Sequence, residues 1–146
     1  MFRNLVVTVA AVAMASSAAA QDVRSDVIAV SEREQVLRQS VVLDTSLDHV
    51  WALFTTGEGV SSWMAPVGSV DLRGGGMIRT NYDACAEPED GGWIENTIVN
   101  FVPRRLITLQ ADLEPQREAA WMNETIYARR ENLYSVIEFE EIGPGQ

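Results

Sequence analysis

A series of short β-type segments fills the chain from residue 67 onward and limits it to folds built on an antiparallel sheet. The predicted strands are Val67–Arg73, Met77–Tyr82, Trp93–Val102, Leu106–Leu113 and Leu133–Ile142. Gly74–Gly76 and Pro103–Arg105 form tight turns between neighbouring segments, and such turns join antiparallel strands. An earlier alternating segment, residues 35–44, places Leu37, Val41 and Leu43 on one face and predicts a half-buried strand.

One amphipathic helix stands out before this sheet. Leu47, Val50, Trp51 and Phe54 follow helical spacing, and Thr45 is the predicted N-terminal cap with Asp48 three residues later. Gly57 and Gly59 are expected to end this helix. Residues 58–64 predict a short second helix that closes at Pro66, and residues 114–131 fit a loop followed by a short helix. Strands grouped after helices predict the α+β class.

Charge and composition reduce the number of functional classes that this chain fits. The chain has 146 residues, with 11 Lys+Arg against 21 Asp+Glu, and a formal net charge of −10. All of the basic residues are arginine. An acidic chain does not favour binding to nucleic acid, whose phosphates need a cationic surface. At 47% apolar residues it contains enough apolar side chains for a core.

The N-terminus resembles a cleavable signal peptide over residues 1–20. Arg3 supplies the positive start, Leu5–Met14 is apolar, and Ala18–Ala20 are small residues of the kind that a signal peptidase reads. We predict cleavage before Gln21 and export to the periplasm or the extracellular space. The alternative is a membrane anchor, but the apolar run is shorter than the ~20 residues that a spanning helix needs. No membrane span is expected after removal of the signal. Residues 21–34 are predicted to be a polar lead-in, and a short strand within it is the alternative.

Two segments resemble a phosphate loop and a calcium loop, but their residues do not match either motif. Gly74–Gly76 lacks the lysine and the strand-to-helix context of a phosphate loop, so it predicts a hairpin turn. The acidic loop 83–92 contains Asp83, Glu87, Glu89 and Asp90, but their spacing does not match a calcium loop. We therefore predict a solvated loop, no metal and no cofactor.

The residues usual in catalysis are sparse. His49 points away from the apolar stripe of its helix and is expected to be solvated. Cys85 lies among carboxylates, a setting that is expected to make a thiol less nucleophilic. The alternative for Cys85 is a disulfide to another chain. Asn81, Tyr82 and Glu95 lie on predicted strands, and the sequence leaves their orientation open.

The order of several segments resembles the START/SRPBCC (birch-allergen-like) superfamily. The matching pieces are the strand before the first helix, Val50-Trp51, Trp63 with Pro66, and two later runs, Val70–Gly76 and Val102–Leu106. More narrowly, the chain is similar to the branch related to the C-terminal domain of the activator of the heat-shock-protein-ninety ATPase. The resemblance covers residues 35–142. It implies a helix-grip fold, in which a curved antiparallel sheet wraps around a long C-terminal helix and encloses an apolar cavity.

The end of the sequence departs from this pattern. The superfamily's final strand and long C-terminal helix would follow a turn like Gly143–Gln146, where the sequence stops. Residues 35–146 are therefore expected to form an incomplete START-like domain, and an uncovered sheet face would permit self-association.

The resemblance implies a small-molecule site inside the sheet. The cavity candidates are the large side chains of the strands and adjoining segments: Trp63, Met64, Ile78, Tyr82, Ile98, Phe101, Leu109, Trp121 and Phe139. The first hypothesis is a non-catalytic binding module for a small apolar or amphipathic ligand. The second is an enzyme of the cyclase, aromatase or hydrolase type, in which Asn81, Tyr82 or Glu95 act in the cavity. The third is a chaperone-associated protein.

Overall fold

The strands of this protein form two separate antiparallel sheets. The computed structural model describes residues 23–32, 34–118, 120 and 122–143. By its contacts the chain divides into two units, residues 1–43 and residues 44–146. The predicted signal peptide, residues 1–20, lies outside the described residues, as does Trp121.

The first unit contains a two-stranded hairpin. Strands β1 (Arg24–Ala29) and β2 (Gln35–Ser40) pair antiparallel with Val27 opposite Leu37. Every residue of both strands is exposed. The strand predicted over 35–44 is present, but the prediction that it is half-buried was wrong. A hairpin of two strands has no second layer within its own unit against which to bury a face.

The second unit begins with two short helices at a sharp corner. Helix α1 spans Leu47–Thr55 and helix α2 spans Gly57–Trp63. The cap of α1 is Ser46, whose Oγ accepts a hydrogen bond from the His49 amide at 3.2 Å, and not Thr45 as predicted. Thr56 caps α2 in the same way, through the Gly59 amide at 2.9 Å. A Cβ on Gly59 would overlap the carbonyl oxygen of Ala52, so the corner requires glycine at this position.

A five-stranded sheet follows the helices. Its strands are β3 (Val67–Val70), β4 (Met77–Asn81), β5 (Ile94–Val102), β6 (Leu106–Ala111) and β7 (Tyr134–Glu138). They are antiparallel and lie in sequence order, so each strand pairs with its neighbour in the chain. The predicted strands were correct in number and order but too long at several ends. The largest difference is in β7, which ends at Glu138 and not at Ile142.

A β-bulge in β5 changes which side chains face the helices. The register shifts between Ile98 and Asn100, so Ile98 pairs with Leu109 while Phe101 pairs with Ile107. Ile98 and Phe101 are three residues apart, yet both face the same side of the sheet. The Gly74–Gly76 turn closes over this point: the Gly75 amide donates to the Ile98 carbonyl, and the Ile98 amide donates to the Gly76 carbonyl, each at 2.8 Å.

The connection between β6 and β7 is a compact chain of short helical turns. A 3-10 turn at Glu114–Gln116 leads to α3 (Glu124–Tyr127) and to a second 3-10 turn at Arg130–Asn132. Asn123 caps α3 by accepting from the Ile126 amide at 3.0 Å. The predicted short helix is present, but it spans only Glu124–Tyr127 and begins after Met122.

The core lies between the helix pair and one face of the five-stranded sheet. Its buried side chains come from α2, the three strands β4 to β6 and the residue after β7: Val60, Ile78, Ile98, Ile107, Leu109 and Phe139. Leu47, Val50, Trp51 and Phe54 of α1 pack against this cluster. The protein is therefore an α+β protein, in agreement with the predicted class and consistent with a helix-grip architecture.

Candidate functional site

Aromatic side chains concentrate where α1 and α2 meet the sheet. The Trp51 ring lies 5.2 Å from the Phe139 ring in an edge-on arrangement and 6.5 Å from the Phe101 ring. Phe54 lies 5.4 Å from Phe139 on one side and 5.0 Å from Trp63 on the other. Contacts of this kind stabilise beyond the area that they bury. They form a continuous aromatic row from the core outward to Trp63.

Trp63 carries this row to the surface. Trp63 is 51% exposed, although its ring contacts Phe54. The indole Nε1 donates to the Leu53 carbonyl at 3.0 Å, which holds the ring at the end of α2. A fixed, half-exposed indole next to an apolar core offers a flat apolar surface to a ligand without reorganisation.

The predicted cavity residues fall into three environments. The buried cluster contains four of them, which are Ile78, Ile98, Leu109 and Phe139. Phe101 packs against this cluster. Met64 is half-buried directly after α2. Tyr82 is 69% exposed, after the end of β4. The structure thus brings five of these residues together in the core, with Trp63 at the surface end of the aromatic row. Their role in ligand binding stays a prediction.

The polar residues considered for catalysis are engaged separately. The buried Asn81 side chain donates to the Gly91 carbonyl at 3.1 Å and accepts from the Asp83 amide at 2.9 Å, which shapes the acidic loop. The Glu95 carboxylate binds the Arg79 guanidinium at 2.7 Å. The strand register places Arg79 and Glu95 opposite each other, on the face away from the helices. Arg79 also stacks on Trp93, 4.7 Å from the ring centroid.

A polar cluster in the β6–β7 connection was not found from the sequence. The Tyr127 hydroxyl donates to the Glu114 carboxylate at 2.5 Å. Two guanidinium groups, those of Arg117 and Arg130, lie 4.7 Å and 4.3 Å from the centre of the Tyr127 ring. Arg130 also pairs with Glu114 at 3.3 Å. The sequence signal for such contacts is the concentration of arginine and glutamate around this tyrosine in residues 114–131.

The electrostatics of this cluster act on the tyrosine. The hydrogen bond to the Glu114 carboxylate is the largest cause that raises the pKa of Tyr127 above its ordinary value of 10.0. Desolvation raises the pKa further, while the positive charges of Arg117 and Arg130 lower it. The Tyr127 hydroxyl donates its hydrogen to Glu114, and this contact links the 3-10 turn at Glu114–Gln116 to α3.

A cleft of about 360 Å³ lies beside this cluster. Its lining includes Thr97, Gln110, Glu114, Arg130 and Glu131, so it is mainly polar. The Gln110 side chain donates to the Glu131 carbonyl at 2.8 Å. Since the polar groups of this cleft already bind one another, it has little to offer an apolar ligand.

Other candidate groups lie at the surface. His49 and Cys85 are both exposed, as expected for His49. Within the described ranges, no group of three or more His, Cys, Asp or Glu side chains is arranged to hold a metal ion. In that same part of the chain no helix combines the length and the apolar character needed to cross a bilayer. The Gly74–Gly76 segment is a hairpin turn between β3 and β4, as predicted. Within this turn Gly75 has a φ of 77°.

An antiparallel sheet with a helix pair against one face, centred on an aromatic row, defines an α+β protein whose architecture is consistent with a helix-grip fold. A family model described as "Activator of Hsp90 ATPase homolog 1-like protein" matches residues 44–146. The chain therefore belongs to this family, which is part of the START/SRPBCC superfamily. No curated protein and no solved structure matches the chain.

Proposed function

We propose that this protein is an exported, non-catalytic binding module for a small apolar or amphipathic ligand. The observation that carries the proposal is the aromatic row from Phe139 through Phe54 to the half-exposed Trp63. Membership of the START/SRPBCC superfamily supports a ligand-binding function of this kind. In the proposal the ligand lies against Trp63, beside the helix-bearing face of the sheet.

The absence of catalysis is part of this proposal. Among the residues weighed for catalysis, Asn81 is used for the loop that follows β4, and Glu95 is neutralised by Arg79. Tyr82 is exposed to solvent. This arrangement favours a binding module over the cyclase, aromatase or hydrolase alternative.

The test is a fluorescence titration with the apolar probe 8-anilinonaphthalene-1-sulfonate, comparing wild type, Trp63→Ala and Trp63→Phe. We expect Trp63→Ala to weaken probe binding about tenfold, because it removes the flat surface at the outer end of the row. Trp63→Phe should retain most of the affinity, since it keeps an apolar ring. Equal binding by all three proteins would contradict the proposed site.

Export is tested separately. The full chain is expressed in a bacterium, and the cells are then separated into periplasmic and cytosolic fractions. The protein should be found in the periplasmic fraction and begin at Gln21, as read by N-terminal mass spectrometry. An uncleaved protein in the cytosolic fraction would contradict export without affecting the ligand site.

The name of the matching family favours a second candidate, a chaperone-associated protein. This candidate predicts that the purified chain binds an Hsp90-type chaperone and stimulates its ATPase. If it does so while Trp63→Ala leaves probe binding unchanged, the second candidate replaces the first. Self-association through the sheet also stays a prediction, which light scattering measures.

A further inference from the structure

Two polar side chains of the sheet lie on the helix-bearing face, beside the buried isoleucines. Thr80 of β4 is two residues after the buried Ile78, so both side chains lie on the same face of the sheet. Asn96 of β5 is two residues before the buried Ile98, and it is also the register partner of Ile78. The register pairs Thr80 with Ile94, so Thr80 and Asn96 are diagonal neighbours on this face.

The Thr80 hydroxyl is buried without a hydrogen bond. Thr80 is only 2% exposed, and its side chain has no hydrogen-bond partner among the residues that the structure describes. The hydroxyl oxygen is not sealed, because every completely buried side-chain oxygen or nitrogen in the described part of the chain has a partner. The amide of the half-buried Asn96 has no partner in that part of the chain either. A buried polar group is costly until another group hydrogen-bonds to it.

Helix α2 brings Trp63 to the same end of the sheet. Gly68 is the register partner of Thr80, and a Cβ at Gly68 would lie 2.4 Å from Cγ2 of Val60. Helix α2 therefore packs directly on β3, on the strand next to Thr80. Val60 lies three residues before Trp63, and residues at this spacing are neighbours on a helix. The unpaired hydroxyl and the half-exposed indole thus flank the same short helix.

We propose that Thr80 and Asn96 form the hydrogen-bonding end of the ligand site and select an apolar ring that carries a hydroxyl group. This inference rests on the proposed function, in which the apolar part of the ligand lies against Trp63. A ligand hydroxyl can accept a hydrogen bond from Thr80 and donate one to the Asn96 side-chain carbonyl. A hydrocarbon of the same shape would leave both side chains unpaired, and a site built in this way discriminates against it.

Valine at position 80 tests the hydroxyl. Thr80→Val removes the hydroxyl and keeps the branched shape, and Thr97→Val is the matched control, because Thr97 lies on the opposite face of the sheet. Since the Thr80 hydroxyl has no partner in the described protein, Thr80→Val should unfold at the same temperature as wild type or at a higher one. A lower unfolding temperature would show that the hydroxyl is bonded within the protein and would overturn the proposal.

The probes are naphthalene and 2-naphthol, which differ by one hydroxyl group. Each is titrated into the full chain with bound 8-anilinonaphthalene-1-sulfonate, and the loss of fluorescence measures displacement. In wild type we expect 2-naphthol to bind about three- to tenfold more tightly than naphthalene, which is the effect of one ordinary hydrogen bond. This preference should disappear in Thr80→Val and persist in Thr97→Val.

Asn96→Leu provides a second variant if Thr80→Val does not fold, and it should lower the preference for 2-naphthol in the same way. Equal binding of the two probes by wild type would overturn the proposal, as would a wild-type preference in Thr80→Val or, where that variant does not fold, in Asn96→Leu. Each of these results would leave the site at Trp63 intact. A wild-type protein that does not bind 8-anilinonaphthalene-1-sulfonate would instead contradict the proposed function, and this inference would fall with it.

Discussion

Arg104 is the non-glycine residue with a positive φ, at 61°, among the described residues. It lies in the turn between β5 and β6, and its guanidinium pairs with Asp48 in the first turn of α1 at 2.8 Å. An L-residue in the left-handed region costs roughly 1–2 kcal/mol. Both side chains of the pair are more than half exposed, so the ion pair contributes only about 1 kcal/mol or less.

These two effects predict different results for two substitutions at this position. Arg104→Gly loses the ion pair but relieves the backbone strain, whereas Arg104→Ala loses the ion pair and keeps the strain. We expect the glycine variant to be about 1 kcal/mol more stable than the alanine variant in urea unfolding. A glycine variant that is less stable than the alanine variant would show that the turn is not strained.

The ionisation of Tyr127 makes the free energy of unfolding depend on pH in the alkaline range. Its pKa is raised in the folded protein, first by the hydrogen bond to Glu114. A group whose pKa is higher in the folded state stabilises the fold fully below its unfolded pKa, near 10.0, and loses this contribution as pH rises through the folded pKa. The difference in unfolding free energy between wild type and Tyr127→Phe should be constant below that range and shrink above it.

Ultraviolet absorbance of tyrosinate measures the same effect directly. The chain has three tyrosines, and Tyr127 should ionise at a higher pH in wild type than in Glu114→Gln, which removes the carboxylate charge. A titration curve that does not move in Glu114→Gln would contradict the assigned cause.

At the scale of elements, helix ends depend on which hydroxyl reaches an amide. Thr45 and Ser46 are both good caps by residue type, and the sequence pattern with Asp48 favoured Thr45. In the structure Ser46 has extended backbone angles and its Oγ accepts from the His49 amide. Spacing alone could not separate two adjacent hydroxyl residues, because a shift of one residue leaves the apolar stripe unchanged.

This assignment has a direct test. Ser46→Ala should lower the free energy of unfolding by about 1 kcal/mol, because the His49 amide loses its partner. Thr45→Ala should change it by about 0.5 kcal/mol or less. Chemical denaturation of the two variants side by side measures both values, and the reverse order would restore Thr45 as the cap.

Strand β5 is a second element whose structure the sequence pattern alone does not predict. Strict alternation places Ile98 and Phe101 on opposite faces, but the bulge brings both to the helix-bearing face. Strand β6, by contrast, alternates regularly, with Ile107 and Leu109 buried and Thr108 and Gln110 on the other side. Regular strands follow their pattern, whereas a bulge depends on hydrogen bonds from a distant turn.

At the scale of the whole molecule, the second unit depends on the contact of one helix with three strands. Trp51 meets Phe101 of β5 and Phe139 after β7, and α1 packs on the cluster formed by Ile78, Ile98 and Ile107. A side chain that joins a helix to several strands contributes to the cooperativity of the fold.

Removal of this side chain should be costly. We expect Trp51→Ala to lower the free energy of unfolding by about 3–5 kcal/mol, as is usual for a large aromatic side chain in a core. Trp63→Ala, at the exposed end of the row, should cost only about 1 kcal/mol. Urea denaturation followed by far-ultraviolet circular dichroism compares the two, and equal losses would contradict the distinction between core and surface.

The sequence by itself determined the α+β class, the order of the strands and the apolar stripe of α1, because these follow from local periodicity and from turn residues. The tertiary structure decided the cap at Ser46, the shift of Phe101 across the bulge, the exposure of β2 and the tyrosine cluster of the β6–β7 connection. Each of these depends on contacts between residues distant in the chain, or on a choice between neighbours that periodicity leaves equal. The aromatic row that ends at Trp63 was determined partly by the sequence and partly by the tertiary structure. Its residues were recognisable as apolar in the sequence, and only packing showed which of them reach the surface.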